Sequence, residues 1–106
     1  MTYTRKVWKY ELPIQDEAIK LKLSSQCELL SVVSHDDKIF SYFLMPEDTT
    51  NMGEIFTFYI FGTGHPIHLD MALHSHVATV TTHGKFWWHV FRRNLWEWEE
   101  RPGHAR

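Results

Sequence analysis

The sequence has few of the features that mark secreted, membrane-spanning or nucleic-acid-binding proteins. Among its 106 residues Cys27 is the single cysteine, so no intramolecular disulfide can form. No apolar run approaches the roughly 20 residues that a membrane helix needs, and the opening MTYTRKVWKY lacks the apolar stretch of a signal peptide. The formal net charge of −2 supplies no basic field. We therefore expect a cytoplasmic protein that binds neither nucleic acid directly nor a membrane.

The residues that are present predict strands. In the segment 6–12, Trp8, Tyr10 and Leu12 alternate with Lys9 and Glu11, a period of two that is typical of a half-buried strand. Six further segments have strand character: 19–23, 28–34, 38–45, 55–61, 76–82 and 85–92. The chain shows no strand–helix–strand rhythm, which argues against a parallel sheet.

These segments predict one all-β domain over residues 1–106, with its core at 6–92 and a carboxy-terminal tail at 93–106. We expect an antiparallel meander of about seven strands that forms a sandwich or a partial barrel. The apolar segment 55–61 should be its most enclosed strand, because both of its faces are largely apolar.

A glycine-rich turn follows that strand, with the sequence Gly62-Thr63-Gly64-His65-Pro66. Neither the P-loop pattern nor the dinucleotide-binding pattern is matched. One interpretation is structural, with the glycines adopting φ > 0 or allowing a close approach of the chain. The other is a loop that contacts a ligand through its backbone N–H groups. Under the second interpretation the candidate ligand-binding residues are Gly62, Thr63, Gly64, His65 and His89.

The histidines allow a second kind of site. A two-residue turn at His83-Gly84 would place Thr82 opposite Lys85 and bring His76 and His89 to one sheet face as diagonal neighbours. His74 would join them there, with His65 or His68 from the preceding loop, and imidazole clusters suit zinc, nickel or copper. No carboxylate or thiolate lies at matching spacing, so we assign no metal site and no cofactor.

The aromatic residues of the last strand suggest a partner surface. That strand is apolar on both faces, so Trp87 and Phe91 must be covered by the tail residues Trp96 or Trp98 or else be exposed. These four residues are the candidates for binding a partner. No serine lies in a nucleophile-elbow sequence and Cys27 is expected to be an inert, partly buried thiol, so no catalytic residue is assigned.

Four segments together resemble a family of small uncharacterised proteins that are largely carried by bacteriophages and prophages. They are Lys6-Val7-Trp8-Lys9-Tyr10-Glu11-Leu12, Glu28-Leu29-Leu30-Ser31-Val32, Gly62-Thr63-Gly64-His65-Pro66-Ile67 and Trp88-His89-Val90-Phe91. The match covers about residues 6–92, and its most specific part is the glycine–histidine signature. His74, His76 and the tail lie outside it. The resemblance implies a viral or prophage context and transfers no activity.

Three functions from different classes follow. The first is a phage-encoded, non-enzymatic binding protein that inhibits host defence by binding a host protein or by sequestering a small nucleotide ligand. The second is a phage structural or assembly component that forms a homo-oligomer. The third is a small metalloenzyme that uses His65 or His89 as acid and base. The first is favoured because no catalytic motif is present.

Overall fold

The computed structural model describes residues 4–24, 26–46, 52–94 and 97–98, and it places them in two packed antiparallel sheets. The strands are β1 (Arg5–Leu12), β2 (Ile19–Ser24), β3 (Glu28–His35), β4 (Lys38–Pro46), β5 (Met52–Gly62), β6 (His74–Thr82), β7 (Phe86–Arg93) and the short β8 (Glu97–Trp98). The first sheet has the order β1-β4-β3, and the second has the order β2-β5-β7-β6 with β8 also paired to β5. This confirms the predicted all-β, antiparallel fold, which is an open two-sheet arrangement and not a closed barrel.

The strand order is not sequential. The hairpins β3–β4 and β6–β7 each stay within one sheet, whereas the chain crosses between the sheets at β1–β2, at β2–β3 and at β4–β5. The first sheet meets the second along one edge, where β3 runs close to β6. Alternation within a strand predicts its two faces but not its neighbour, so the sequence could not provide this order.

The alternation in β1 holds in the structure. Trp8, Tyr10 and Leu12 pair with Phe43, Ser41 and Ile39 of β4, whose side chains are all buried between the sheets. The aromatic rings of this core meet edge to face, with centroids 5.0 Å apart for Phe43 and Phe56. Trp8, on the same face of β1, is nearly half exposed, and β1 is an edge strand of its sheet.

The central strand is β5, as predicted. It pairs with β2 along one edge and with β7 and β8 along the other. Phe56, Phe58 and Ile60 are buried in the core. β5 ends at Gly62, so the glycine-rich turn that follows it lies at one end of the sandwich.

Four connections converge at that end, which we call the near end: residues 13–18, the turn Asp36-Asp37, the turn 62–65 and the turn 83–85. The two hairpin turns contact each other across the sheets. The backbone N–H of His83 donates to Asp37 Oδ1 at 2.7 Å, and His83 Nδ1 lies 3.3 Å from Asp37 Oδ2. The opposite, far end contains Cys27, the start of β5 and the end of β7.

The predicted register of the β6–β7 hairpin is wrong by one residue. Thr82 pairs with Phe86 rather than with Lys85, and Thr79 rather than Ala78 lies opposite His89. His83 and Gly84 do adopt φ of 54° and 67°, and the Lys85 N–H donates to the Thr82 carbonyl at 3.2 Å. The two-residue turn therefore forms, but Lys85 is left as an extra residue before the ladder begins.

The long connection 63–73 contains a local turn at Asp70. The Leu73 N–H donates to the Asp70 carbonyl at 2.9 Å, and the Ala72 N–H donates to Asp70 Oδ1 at 2.9 Å. The aspartate side chain thus stabilises a local turn. Within the described parts of the chain, no helix has the length and apolar character to cross a membrane.

Candidate functional site

An open groove of about 590 Å³ lies at the near end. The β1–β2 connection contributes Gln15 and Asp16 to it, and the chain after β5 contributes His65 and His68. The indole of Trp88 forms a wall, fixed because its Nε1–H donates to Thr82 Oγ1 at 2.9 Å while its ring packs on the core. The groove therefore combines an aromatic surface with imidazole, amide and carboxylate groups.

His65 packs closely against Gly62, where an added Cβ would make tight contacts. A Cβ built on Gly62 would lie 3.2 Å from His65 Nδ1 and Cε1 and 3.4 Å from Trp88 Cζ3. The turn closes with the His65 N–H donating to the Gly62 carbonyl at 3.1 Å, and Gly64 adopts φ of 88°. Of the two structural roles considered for these glycines, Gly64 thus takes positive φ and Gly62 permits a close approach, here by a side chain rather than a strand.

A second, smaller space of about 210 Å³ lies on the other side of His65, and we call it the side cavity. Its own lining comes from Thr63, Lys85, Phe86 and Trp87. Gly62, His65 and Trp88 line both spaces. The His65 imidazole therefore stands between the groove and the side cavity, and among the described residues it has no hydrogen-bond partner.

A hydrogen-bonded chain of hydroxyl and imidazole groups joins the turn to the outer face of the second sheet. Thr63 Oγ1 lies 2.8 Å from His89 Nε2, and His89 Nδ1 lies 3.0 Å from Thr79 Oγ1. Thr79 Oγ1 also lies 2.8 Å from His76 Nε2. The structure thus brings together Thr63 and His89, two members of the predicted ligand-binding set, although His89 lies behind Thr63 and lines neither space.

The histidines do not assemble as the metal hypothesis required. The rings of His76 and His89 have centroids 6.4 Å apart, but His74 lies apart from them. Its Nδ1 is 2.8 Å from the Asp70 carbonyl, and its ring contacts Tyr59. No group of three metal-ligating side chains forms among the residues that the structure describes. The predicted convergence of three histidines is therefore wrong, since the register shift and the bulge between His76 and Ala78 redirect β6.

The four residues predicted to bind a partner do not form one exposed surface among the described residues. Trp87 is 51% exposed, whereas Phe91 is 7% exposed and packs against Phe61 and His76. Trp96 lies outside the described residues, and for Trp98 the structure gives the backbone pairing of β8 with Glu54. Of the predicted partner-surface residues whose side chains the structure describes, Trp87 is exposed and Phe91 is buried, and the neighbouring Phe86 is also 47% exposed.

Cys27 is remote from the groove. Burial raises the pKa of the thiol to about 11, an effect that the nearby Glu54 carboxylate reinforces and the hydrogen-bonded backbone and Arg92 oppose. Burial also lowers the pKa of Arg92. Because the thiolate is the reactive form of cysteine, the expectation of an inert buried thiol agrees with this environment.

Sequence reasoning did not propose Gln15, Asp16 and Trp88 of the groove, or Lys85 of the side cavity, as site residues. Pro13 does signal the end of β1, so the following residues are recognisable as a connection. Nothing local shows that this connection lies beside the turn 62–65, because their proximity depends on the crossing between the sheets.

Fold and site together define a class: a small two-sheet antiparallel β-protein with an open, polar and aromatic groove at one end. A family model described as a domain of unknown function, DUF7352, matches residues 3–100, so the chain belongs to that family. No curated protein and no solved structure matches the chain. The family description carries no activity and no source.

Proposed function

We propose that this is a non-enzymatic binding protein that takes up a small nucleotide-like ligand in the groove beside His65. In the phage context that the sequence resemblance implies, it acts in the cytoplasm of the host cell and inhibits a host defence by sequestering that ligand. Binding rather than catalysis is the proposed mode of action.

The composition of the groove supports this proposal. Its volume of about 590 Å³ is within the range of small-molecule sites, about 300–1,000 Å³. Aromatic side chains hold nucleobases by stacking, and the Trp88 ring provides such a face. Gln15 and Asp16 line the same groove. Gln15 Nε2 donates to the Glu17 and Ala18 carbonyls at 3.4 Å, so the Gln15 Oε1 and the Asp16 carboxylate are the acceptors proposed to hydrogen-bond to the edge of a base. This combination is the observation that carries the proposal.

The part of the groove lining that the structure describes lacks the serine, threonine, cysteine and lysine side chains that often act as nucleophiles. Among the described residues, no hydroxyl, thiol or amine side chain lines the groove. The thiol of Cys27 is buried at the far end with a pKa raised to about 11. Covalent catalysis requires an activated nucleophile beside a base, and the groove supports binding better than it supports such a step.

Titration calorimetry with AMP, GMP, CMP and UMP tests the proposal. We expect at least one nucleotide to bind the native protein with one-to-one stoichiometry, and His65→Ala to weaken that binding at least tenfold without changing the melting temperature. His35→Ala is the matched control, because His35 is an exposed histidine in the other hairpin and should leave affinity unchanged. Absence of binding across the panel at millimolar concentration would overturn the proposal.

A host protein is the second candidate partner, and one observation favours it. Phe86 and Trp87 are adjacent and about half exposed, and exposed aromatic residues are enriched at the centres of protein interfaces. Trp87→Ser would abolish such an interaction, whereas His65→Ala would spare it. A homo-oligomer would use the same surface, and sedimentation of the native protein and Trp87→Ser distinguishes self-association from a foreign partner.

A further inference from the structure

The geometry points to an anion subsite in the side cavity, where the Thr63 hydroxyl and the Lys85 ammonium group bind a phosphate of the ligand. This inference rests on the proposed function and specifies it, because it requires a phosphorylated ligand rather than a nucleoside. It also assigns His89, Thr79 and His76 as positioning residues that act on the anion through Thr63.

The two proposed binding groups line the same space from different elements. Thr63 follows the end of β5, and Lys85 is the extra residue of the β6–β7 turn. The Thr63 backbone N–H is already engaged by the Trp87 carbonyl at 3.3 Å, which fixes the residue. Lys85 has no partner in the pairing of β6 with β7, and it lines the side cavity. Its Nζ lies 5.2 Å from the Phe86 ring centroid.

The hydrogen-bonded chain behind Thr63 has two self-consistent orientations with neutral imidazoles. In one, the Thr63 hydroxyl donates to His89 Nε2, His89 Nδ1–H donates to Thr79, and the Thr79 hydroxyl donates to His76 Nε2. In the other, His76 Nε2–H donates to Thr79, the Thr79 hydroxyl donates to His89 Nδ1, and His89 Nε2–H donates to Thr63. The three distances of 2.8, 3.0 and 2.8 Å fit both orientations.

The second orientation leaves the Thr63 hydroxyl proton free to donate into the side cavity. An anionic oxygen beside Thr63 selects this orientation, because only there does the hydroxyl act as a donor toward it. Every bond of the chain then runs toward the anion, and hydrogen bonds aligned in this way polarise one another. An anion at Thr63 therefore selects the Nε2–H tautomers of both His89 and His76, although their rings do not touch the anion.

The ratio of the affinities for AMP and adenosine measures how much the subsite contributes to binding the phosphate group. In the native protein we expect AMP to bind at least about tenfold more tightly than adenosine, as a charge-assisted hydrogen bond and an ion pair imply. Thr63→Val, which keeps the shape and removes the hydroxyl, and Lys85→Met should each bring the ratio toward one, while Thr63→Ser should retain it. Lys38→Met removes a lysine from the neighbouring hairpin and is the control that should leave the ratio unchanged.

The imidazole ¹⁵N shifts of His76 and His89 test the positioning role, with inorganic phosphate as the probe. We expect saturable addition of phosphate to move both histidines to the second pair of tautomers, and Thr79→Val to abolish the response at His76 while preserving the fold. A merely structural hydrogen-bond chain would show no tautomer change.

The outcomes separate this inference from the proposed function. If AMP and adenosine bind equally well, the subsite is wrong and the groove function stands. If no nucleotide binds, the proposed function fails, and the phosphate titration then decides the subsite independently. A saturable response at Thr63 and His89 supports the subsite, and its absence overturns it.

Discussion

The two ends of the sandwich differ in how side chains occupy the space between the sheets. At the far end, large side chains fill the space between the sheets, and the guanidinium of the half-buried Arg92 lies 5.0 Å from the centroid of the buried Phe56 ring. At the near end, β5 ends in Gly62, and the space that a side chain would fill there is taken by the exposed imidazole of His65. Among the residues that the structure describes, core side chains fill the far end, whereas the near end has an open groove.

This difference explains where a binding site can lie. At the far end, a ligand would have to displace buried apolar side chains, each of which stabilises the fold by about 1.5–3 kcal/mol when it leaves water. At the near end it has to displace only solvent and the exposed ring of His65. If the groove binds the proposed ligand, mutations at the far end should mainly lower stability and mutations at the near end should mainly weaken binding.

The largest expected effect is on stability at the far end. Phe56→Ala should lower the free energy of unfolding by about 3–5 kcal/mol, because it opens a cavity among Phe43, Phe58 and Arg92. Phe86→Ala makes the same chemical change at the near end, where the ring is 47% exposed, and should cost less than about 1 kcal/mol. Urea unfolding of both variants measures the contrast, and equal losses would contradict it.

The next effect is a pH dependence that comes from the far end. The pKa of the Cys27 thiol is raised from 9.0 to about 11 on folding, so its contribution to stability is complete below pH 9. Above pH 9 the unfolded chain loses the proton first, and stability should fall by up to about 1.4 kcal/mol per pH unit until about pH 11. Urea unfolding from pH 8 to pH 11 under reducing conditions measures this fall. Cys27→Ala should have a shallower slope, and identical slopes would show that the thiol does not titrate as stated.

A smaller effect is expected where the two hairpins meet at the near end. Asp37→Ala removes the acceptor for the His83 N–H and the carboxylate that lies 3.3 Å from His83 Nδ1, and it should cost about 1 kcal/mol. Asp37→Asn is the matched control, since it keeps the acceptor oxygen and tolerates the φ of 62° at this position. Faster amide exchange at His83 in Asp37→Ala, but not in Asp37→Asn, is the expected readout; unchanged exchange would exclude the contact.

The smallest effect on stability should come from Gly62→Ala. Gly62 is outside the left-handed region, so the backbone accepts alanine, but the new methyl group would lie 3.2 Å from the His65 ring. His65 is exposed and can move, so we expect a change in unfolding free energy of less than about 1 kcal/mol. A large nucleotide-affinity change with little stability change would show that the position of His65 matters for binding; the reverse would make Gly62 a purely structural residue.

The sequence alone predicted much of the fold. Alternation in the first strands and β-forming composition in the others located β1 to β7, and the apolar run identified β5 as the central strand. The register of β6–β7 was missed because Lys85 is an extra residue after a turn whose two central residues were recognised correctly. One inserted residue is enough to exchange the two faces of a strand relative to its partner.

Less of the candidate site could be predicted. The signature at residues 62–65 indicated the loop, and Thr63 and His89 do contact each other. Asp16 and Trp88 were missed because their proximity to His65 depends on strand order, which period-two patterns do not encode. Phe91 was proposed as a partner-binding residue because alternation cannot show that Phe61 and His76 lie against it.

The most direct test of the division between the two ends is amide chemical-shift mapping of the native protein titrated with AMP. We predict saturable shifts at Gly62, Thr63 and His65 and at the Trp88 indole, with no shifts at Cys27 or Arg92. Saturable shifts at the far end, or none anywhere with the full nucleotide panel at millimolar concentration, would contradict the assignment of recognition to the near end.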